Sequence, residues 1–220
     1  DWKVHFVDPA DPDNFRKSLT PRCKAIFMET LANPGGIVLD LEPIAAIAKK
    51  AGLPLIVDNT MATPYLCRPF EWGADIIVHS TTKFLSGHGT SMGGVVIESG
   101  RFDWSASGRF PGLSEPDPAY HGLVFHETFG DFGFSMKARA VALRDLGPAL
   151  SPTNAFNILT GIDAMESPNT SWSFDVEGAK KVLEDAGWVM DGDVRKKGDV
   201  ELSITYVTSI NPVRQKEQAI

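Results

Sequence analysis

Cysteine is nearly missing from this 220-residue chain. Cys23 and Cys67 are the two present, and neither stands in a metal-like pair. That argues against a disulfide framework or a thiolate metal centre and favours a reducing, cytoplasmic compartment. Positive charge is also scarce. Lys and Arg number 21 against 28 Asp and Glu, for a net charge of -7. An acidic chain does not attract phosphate backbones as a whole, so nucleic acid is not an expected partner and any anion site must be local. No apolar run reaches bilayer-spanning length, so no membrane association is expected. No signal peptide opens the sequence. It starts at "DWKVHFVD", which reads as the middle of a domain, so further N-terminal sequence is expected to precede it.

Apolar residues make up 43% of the chain and charged ones 22%, enough to bury a sizeable core in one large domain or two small ones. "KVHFVD" (3–8) reads as a short buried strand, and "DPDNFRKSLT" as a connection with a helical start. "CKAIFMET" (23–30) is a second apolar run. A helix follows within residues 34–52: Asp40 caps it, apolar positions 44, 47 and 48 recur at helical spacing, and Gly52 stops it. "LPLIVDN" (53–59) and "ADIIVHS" (74–80) are apolar without alternation, as strands buried on both faces would be. "GVVIES" is another strand. Residues 100–122 read as a long loop, and 134–147 and 151–165 as helices. Together these predict an α/β fold with a mostly parallel sheet and flanking helices.

Composition shifts at "ESPNTSWSFD", which breaks the pattern. We place a boundary near residue 166, dividing 1–165 from a small α+β tail, 166–220. In the tail, 176–188 is an amphipathic helix and "DGDVRKKGDVELSITYVTS" a polar turn leading into a strand.

Three polar residues fall at regular intervals: Asn33, Asp58 and Lys83 are 25 residues apart in each step. Each stands at or just past the carboxyl end of a predicted parallel strand, the edge where open α/β sheets bind ligands. Lys83 can form a Schiff base with a carbonyl once its amine is deprotonated. Asp58 can pair with a protonated ring nitrogen and hold it cationic, which strengthens an electron sink. Asn33 can donate to a ring oxygen. Ser80 and Thr82 flank Lys83 and can donate to a phosphate. "GHGTSMGG" lets the backbone pass close to a ligand. Singly, each residue has an ordinary reading: a solvated loop lysine, a capping aspartate, a turn asparagine before proline. His79 and His88 lack ligand spacing, so no metal is expected. His88 reads as a turn residue and Cys67 as a packed small side chain.

The stretches "ETLANP", "PLIVDNTMATPYLCRPFEWGADIIVHSTTKFLSGHGTSMGGVVIESG" and "SPTNAFNILTGIDAM" resemble the Cys/Met-metabolism family of pyridoxal-phosphate (PLP) enzymes, over residues 1–165. The likeness is strongest to the O-acetylhomoserine sulfhydrylase branch, whose insertion residues 100–122 resemble. The resemblance implies part of a fold type I large domain and pyridoxal 5'-phosphate as cofactor. It implies Lys83 as Schiff-base lysine and proton shuttle, Asp58 on the pyridine nitrogen, Asn33 on the ring oxygen, and Ser80 and Thr82 on the phosphate. It implies γ-replacement on O-acetyl-L-homoserine by sulfide or a thiol, a small amino-acid substrate, and a homo-oligomer, commonly a tetramer. A cystathionine γ-synthase or γ-lyase is the alternative within the family. The family's ring-stacking aromatic and carboxylate-gripping Arg have no match here, so the chain alone is expected to be inactive or nearly so. Residues 167–220 resemble instead a peptide-binding solute receptor of ABC transporters, through "FDVEGAKKVLEDAGW", "DGDVRKKGDVELSITYVTS" and "NPVRQ". A solute-binding module is accordingly the alternative from another functional class.

Overall fold

A computed structural model describes residues 2–165, 176–192 and 194–202. In it the chain divides into two units, Asp1–Met165 and Glu166–Ile220.

The first unit is organised by a four-stranded sheet in the order β1-β2-β3-β4. β1 is Ile26–Glu29, β2 Leu55–Asp58, β3 Ile76–Ser80 and β4 Gly94–Glu98. β1, β2 and β3 are parallel, with Glu29 level with Asp58 and Asp58 level with Val78. β4 runs antiparallel to β3, and its first residue, Gly94, pairs with Ser80. Residues 81–93 therefore leave and rejoin the sheet at one closed pair.

A short helix α1 (Asp13–Ser18) precedes β1, and α2 (Leu41–Ala51) links β1 to β2. α2 begins and ends where its sequence says it should. The Asp40 carboxylate accepts from the Glu42 N–H, and Gly52 adopts the left-handed conformation, φ 63°. The buried face of α2 carries Leu41, Ile44, Ala45 and Ala48 onto Ile26, Met28, Leu55, Val57 and Ile77 of the sheet. Leu55 and Val57 are wholly buried, each contributing roughly 1.5–3 kcal/mol.

The opposite sheet face is covered by residues whose spacing shows little periodic reason for burial. α3 (Thr63–Leu66) and a 3-10 turn, Pro69–Trp72, lead into β3. After β4 come α4 (Pro111–Ser114), a 3-10 turn at Pro118–Tyr120, α5 (Phe125–Phe129) and α6 (Gly133–Lys137). α6 runs on into a wider-turned helix, Ala138–Leu146, which Gly147 ends in the left-handed conformation. Trp104, Leu113 and Phe125 pack under Ile76, with Ile56 and Val78 beside them. Trp104 stacks on Phe134 at 5.4 Å and meets Phe110 edge-on at 5.1 Å. Segment 100–122 is thus only partly a loop; its aromatic and leucine side chains build one side of the core. α7 (Pro152–Met165) closes the unit.

One expectation needs correcting. Residues 3–8 form no strand: they pair with none of the described strands, and Val4 and Phe6 lie 72% and 97% exposed. β4, the strand expected from "GVVIES", completes a mostly parallel sheet as its one antiparallel member, because the 81–93 connection returns beside β3 and contains no crossover helix. The expected burial on both faces holds for β2 and β3, none of whose residues is exposed, whereas Phe27 of β1 and Val96 of β4 are exposed.

The second unit shows α8 (Val176–Asp185) and a three-stranded antiparallel meander of β5 (Val189–Asp191), β6 (Val194–Lys197) and β7 (Val200–Glu201). Arg195 donates to the Trp188 carbonyl at 2.8 Å and meets Glu184 of α8 at 3.2 Å, tying helix to meander. The motif "NPVRQ" and all of "ITYVTS" lie outside the described residues.

Candidate active site at the carboxyl edge of the sheet

Asp58 ends β2 and is half-buried. Parallel pairing keeps level residues on one face, so Ile56 and Ile76 share a side, as do Asp58 and Val78. Ser80, two residues beyond Val78, falls on that same side. A relay of short bonds fixes the two strand ends together. One Asp58 carboxylate oxygen accepts from the Thr60 N–H at 2.9 Å, and the Thr60 hydroxyl accepts from the Ser80 N–H at 2.8 Å. Asn59, wholly buried, braces the turn: its Oδ1 accepts from the Thr30 hydroxyl at 2.9 Å and its Nδ2 donates to the Cys67 carbonyl at 2.8 Å.

Past Ser80, residues Thr81–Leu85 form a wide helical turn broken at Lys83, whose φ -95° and ψ -129° are not helical. The Lys83 carbonyl accepts from the Gly87 N–H at 3.0 Å and from the Ser86 hydroxyl at 3.4 Å. The Lys83 side chain is exposed, and among the described residues its amine meets no carboxylate or carbonyl. The Thr82 hydroxyl is already engaged. It donates to the Gly93 carbonyl at 3.2 Å and accepts from the Gly93 N–H at 3.0 Å. A hydroxyl has one hydrogen, so donation to a phosphate would exchange the Gly93 carbonyl for the new acceptor. Among the described residues the Ser80 hydroxyl has no such commitment.

Asn33 lies four residues past the end of β1, exposed, with its N–H donating to the Glu29 carboxylate at 2.9 Å. The peptide to Pro34 is cis. Because Glu29 is level with Asp58, the Asn33 turn leaves the sheet from the same edge.

Sequence reasoning missed two neighbours. Thr60 is the hinge of the relay; its signal was the Asx-turn run "DNT", where a carboxylate bonds its own backbone two residues on. His79 lies on the other face of β3, 4% exposed, with the backbone of Asn59 as its partner and Nδ1 without one. Burial lowers its pKa, opposed by the Asp58 charge and the Asn59 hydrogen bond. The turn reading of His88 agrees with its bonds: Nδ1 accepts from the Thr90 N–H at 3.1 Å and Nε2 faces the Asn157 carbonyl at 2.8 Å. The Cys67 thiol is pushed up, first by burial and then by Glu71, opposite to the direction that activates a nucleophile. Among the described residues no group of His, Cys, Asp and Glu is arranged to hold a metal, and no helix is long and apolar enough to cross a membrane.

This donor set fits a phosphorylated pyridine aldehyde: an unpaired amine, a carboxylate with one uncommitted oxygen, a free hydroxyl and an exposed amide. Comparison with known proteins agrees. An O-acetyl-L-homoserine sulfhydrylase of Leptospira meyeri is 52% identical over 171 residues, which is 74% of this chain and 38% of that protein. A homocysteine/cysteine synthase of Saccharomyces cerevisiae is 41% identical over 165 residues, 74% of this chain and 37% of that one. Among solved structures, an O-acetylhomoserine (thiol)-lyase of Campylobacter jejuni carrying a pyridoxyl-lysine phosphate superposes with a TM-score of 0.70 at 37% identity, over 82% of this chain and 42% of that one. The chain thus spans less than half the length of these relatives. The family described as Cys/Met metabolism PLP-dependent enzymes matches residues 1–167, more than half of the sequence, and the chain belongs to that family.

Proposed function

We propose that residues 1–165 are the cofactor-holding part of a PLP-dependent sulfhydrylase. The reaction is γ-replacement: the Cγ–O bond of O-acetyl-L-homoserine breaks, sulfide or a thiol forms the new Cγ–S bond, and the products are homocysteine, or methionine from methanethiol, and acetate. Pyridoxal phosphate, when bound, supplies an electron sink for charge on the substrate carbons. With the cofactor bound, Lys83 Nζ would hold its carbonyl and would move protons at the substrate carbons. Asp58 would pair with the ring nitrogen and keep it protonated. Asn33 donates to the ring oxygen, and Ser80 binds the phosphate. Thr82 joins it if its hydroxyl turns from Gly93. The observation that carries this reading is the Asp58–Thr60–Ser80 relay, which fixes a carboxylate and a hydroxyl on one sheet face immediately before Lys83.

The names of the relatives favour a sulfhydrylase over a cystathionine γ-synthase or γ-lyase. Segment 100–122 supports the same choice, because it resembles the insertion of the sulfhydrylase branch. Three further readings rest on sequence alone: assembly as a homotetramer, a cytoplasmic setting, and kinship of residues 167–220 with solute-binding proteins.

Reductive trapping tests the site. Pyridoxal phosphate is added to the purified chain, borohydride reduces the adduct, and peptides are mapped. The label is expected on Lys83 and is expected to disappear in Lys83→Ala. A label spread evenly over surface lysines would overturn the reading. Adding O-acetyl-L-homoserine before reduction tests substrate class: it is expected to lower the Lys83 label, and an equal effect from cystathionine would favour the γ-synthase or γ-lyase alternative.

A further inference from the structure

α7 meets residues 83–93, the segment that begins at Lys83, through Asn154, Asn157, Ile158 and Gly161. A Cβ at Gly161 would lie 1.8 Å from the Ser86 carbonyl oxygen and 2.6 Å from its carbon, so helix backbone and loop backbone are already in contact there. Ser86 is 2% exposed. The Asn157 side-chain amide donates to the Ser91 hydroxyl at 3.0 Å, and the Asn157 carbonyl accepts from His88 Nε2 at 2.8 Å. The Asn154 amide donates to the Met92 carbonyl at 3.0 Å. Positions 154, 157 and 161 share one helical face.

We propose that α7 is the positioning element for Lys83, acting through Gly161, Asn157 and Asn154 on residues 83–93. This rests on the Lys83 reading above. Ser86 is the link. Its carbonyl side is pressed on Gly161, while its hydroxyl and the next N–H hold the Lys83 carbonyl. The sheet supplies the other anchor, because Thr82 is bonded twice to Gly93. Gly93 is itself closely approached, since a Cβ there would lie 2.6 Å from Thr81 Oγ1 and 2.7 Å from Ile158 Cδ1 of α7. The non-helical backbone of Lys83 is thereby held from both sides, while its amine stays exposed and unpaired. A fixed base under a mobile amine suits a group that must bind a carbonyl, release it, and then reach more than one carbon.

The test is peptide-resolved amide hydrogen exchange on the full chain, comparing wild type with Gly161→Ala and Asn157→Ala. Ala is a better helix former than Gly, so loosening in Gly161→Ala is not a helix effect. Exchange across 83–93 is expected to rise about ten-fold in both variants, with β1–β3 unchanged. The share of reductive label on Lys83 is expected to fall in parallel. Unchanged exchange in 83–93, or a rise shared equally by β1–β3, overturns the proposal, and so does a loosened loop with undiminished label on Lys83. If wild type itself places no label on Lys83, the Schiff-base reading fails instead, and exchange alone decides whether α7 clamps the loop.

Discussion

His79 shows how a residue outside the chemistry can still report on the site. It is buried beneath the strand ends, and burial is the main cause of its lowered pKa. In the unfolded chain an ordinary histidine takes its proton near pH 6.5, whereas the folded chain delays protonation to lower pH. The unfolded state then binds more protons as pH falls, so the neutral ring's contribution is complete above the unfolded pKa and is lost through the window below it. Thermal unfolding should show stability falling from pH 7 towards pH 5, and His79→Asn should flatten that slope. An unchanged slope would place the acid sensitivity elsewhere. At this same scale, Lys83 and Asp58 were visible in sequence as strand-end residues at equal spacing. Thr60 was not singled out, because its role depends on the Ser80 N–H, 20 residues away, which the relay brings within 2.8 Å.

At the level of elements, local chemistry and tertiary packing divided the work unevenly. α2 was legible because its determinants are local: a cap, a 3.6-residue apolar stripe and a glycine stop. Asp40→Ala should remove the cap to Glu42 and destabilise the first unit by about 1 kcal/mol in denaturant titration. The strand expected at 3–8 failed for the complementary reason. Its alternation is adequate, but a strand needs a neighbour for its N–H and C=O groups, and none of the described strands supplies one. The direction of β4 was equally hidden, since the apolar run "GVVIES" reads the same either way.

Across the whole molecule, every residue assigned to the site or its support, from Asn33 to Gly161, belongs to the first unit. Deleting 166–220 should therefore leave trapping of pyridoxal phosphate on Lys83 within about two-fold of the intact chain, a difference below about 0.5 kcal/mol. A loss of ten-fold or more would show that the second unit supports the site. The aromatic layer of Trp104, Phe110, Phe125 and Phe134 supports the sheet face from which Asp58 and Ser80 emerge. Its members are spread from the loop after β4 to α6, so no short window of sequence showed them as a cluster.

Sequence by itself determined the α/β character, the caps of α2, the strand-end placement of Asp58 and Lys83, and the kind of chemistry an amine and a carboxylate offer there. These follow from local propensity, periodicity and residue type, which need no partner to be read. Tertiary structure decided the antiparallel return of β4, the stitching of Asp58 to Ser80 through Thr60, the occupation of the Thr82 hydroxyl by Gly93, and the seating of α7 on Ser86. Each of those depends on hydrogen bonds or close contacts between groups remote in sequence, whose existence is fixed only when the sheet and helices pack.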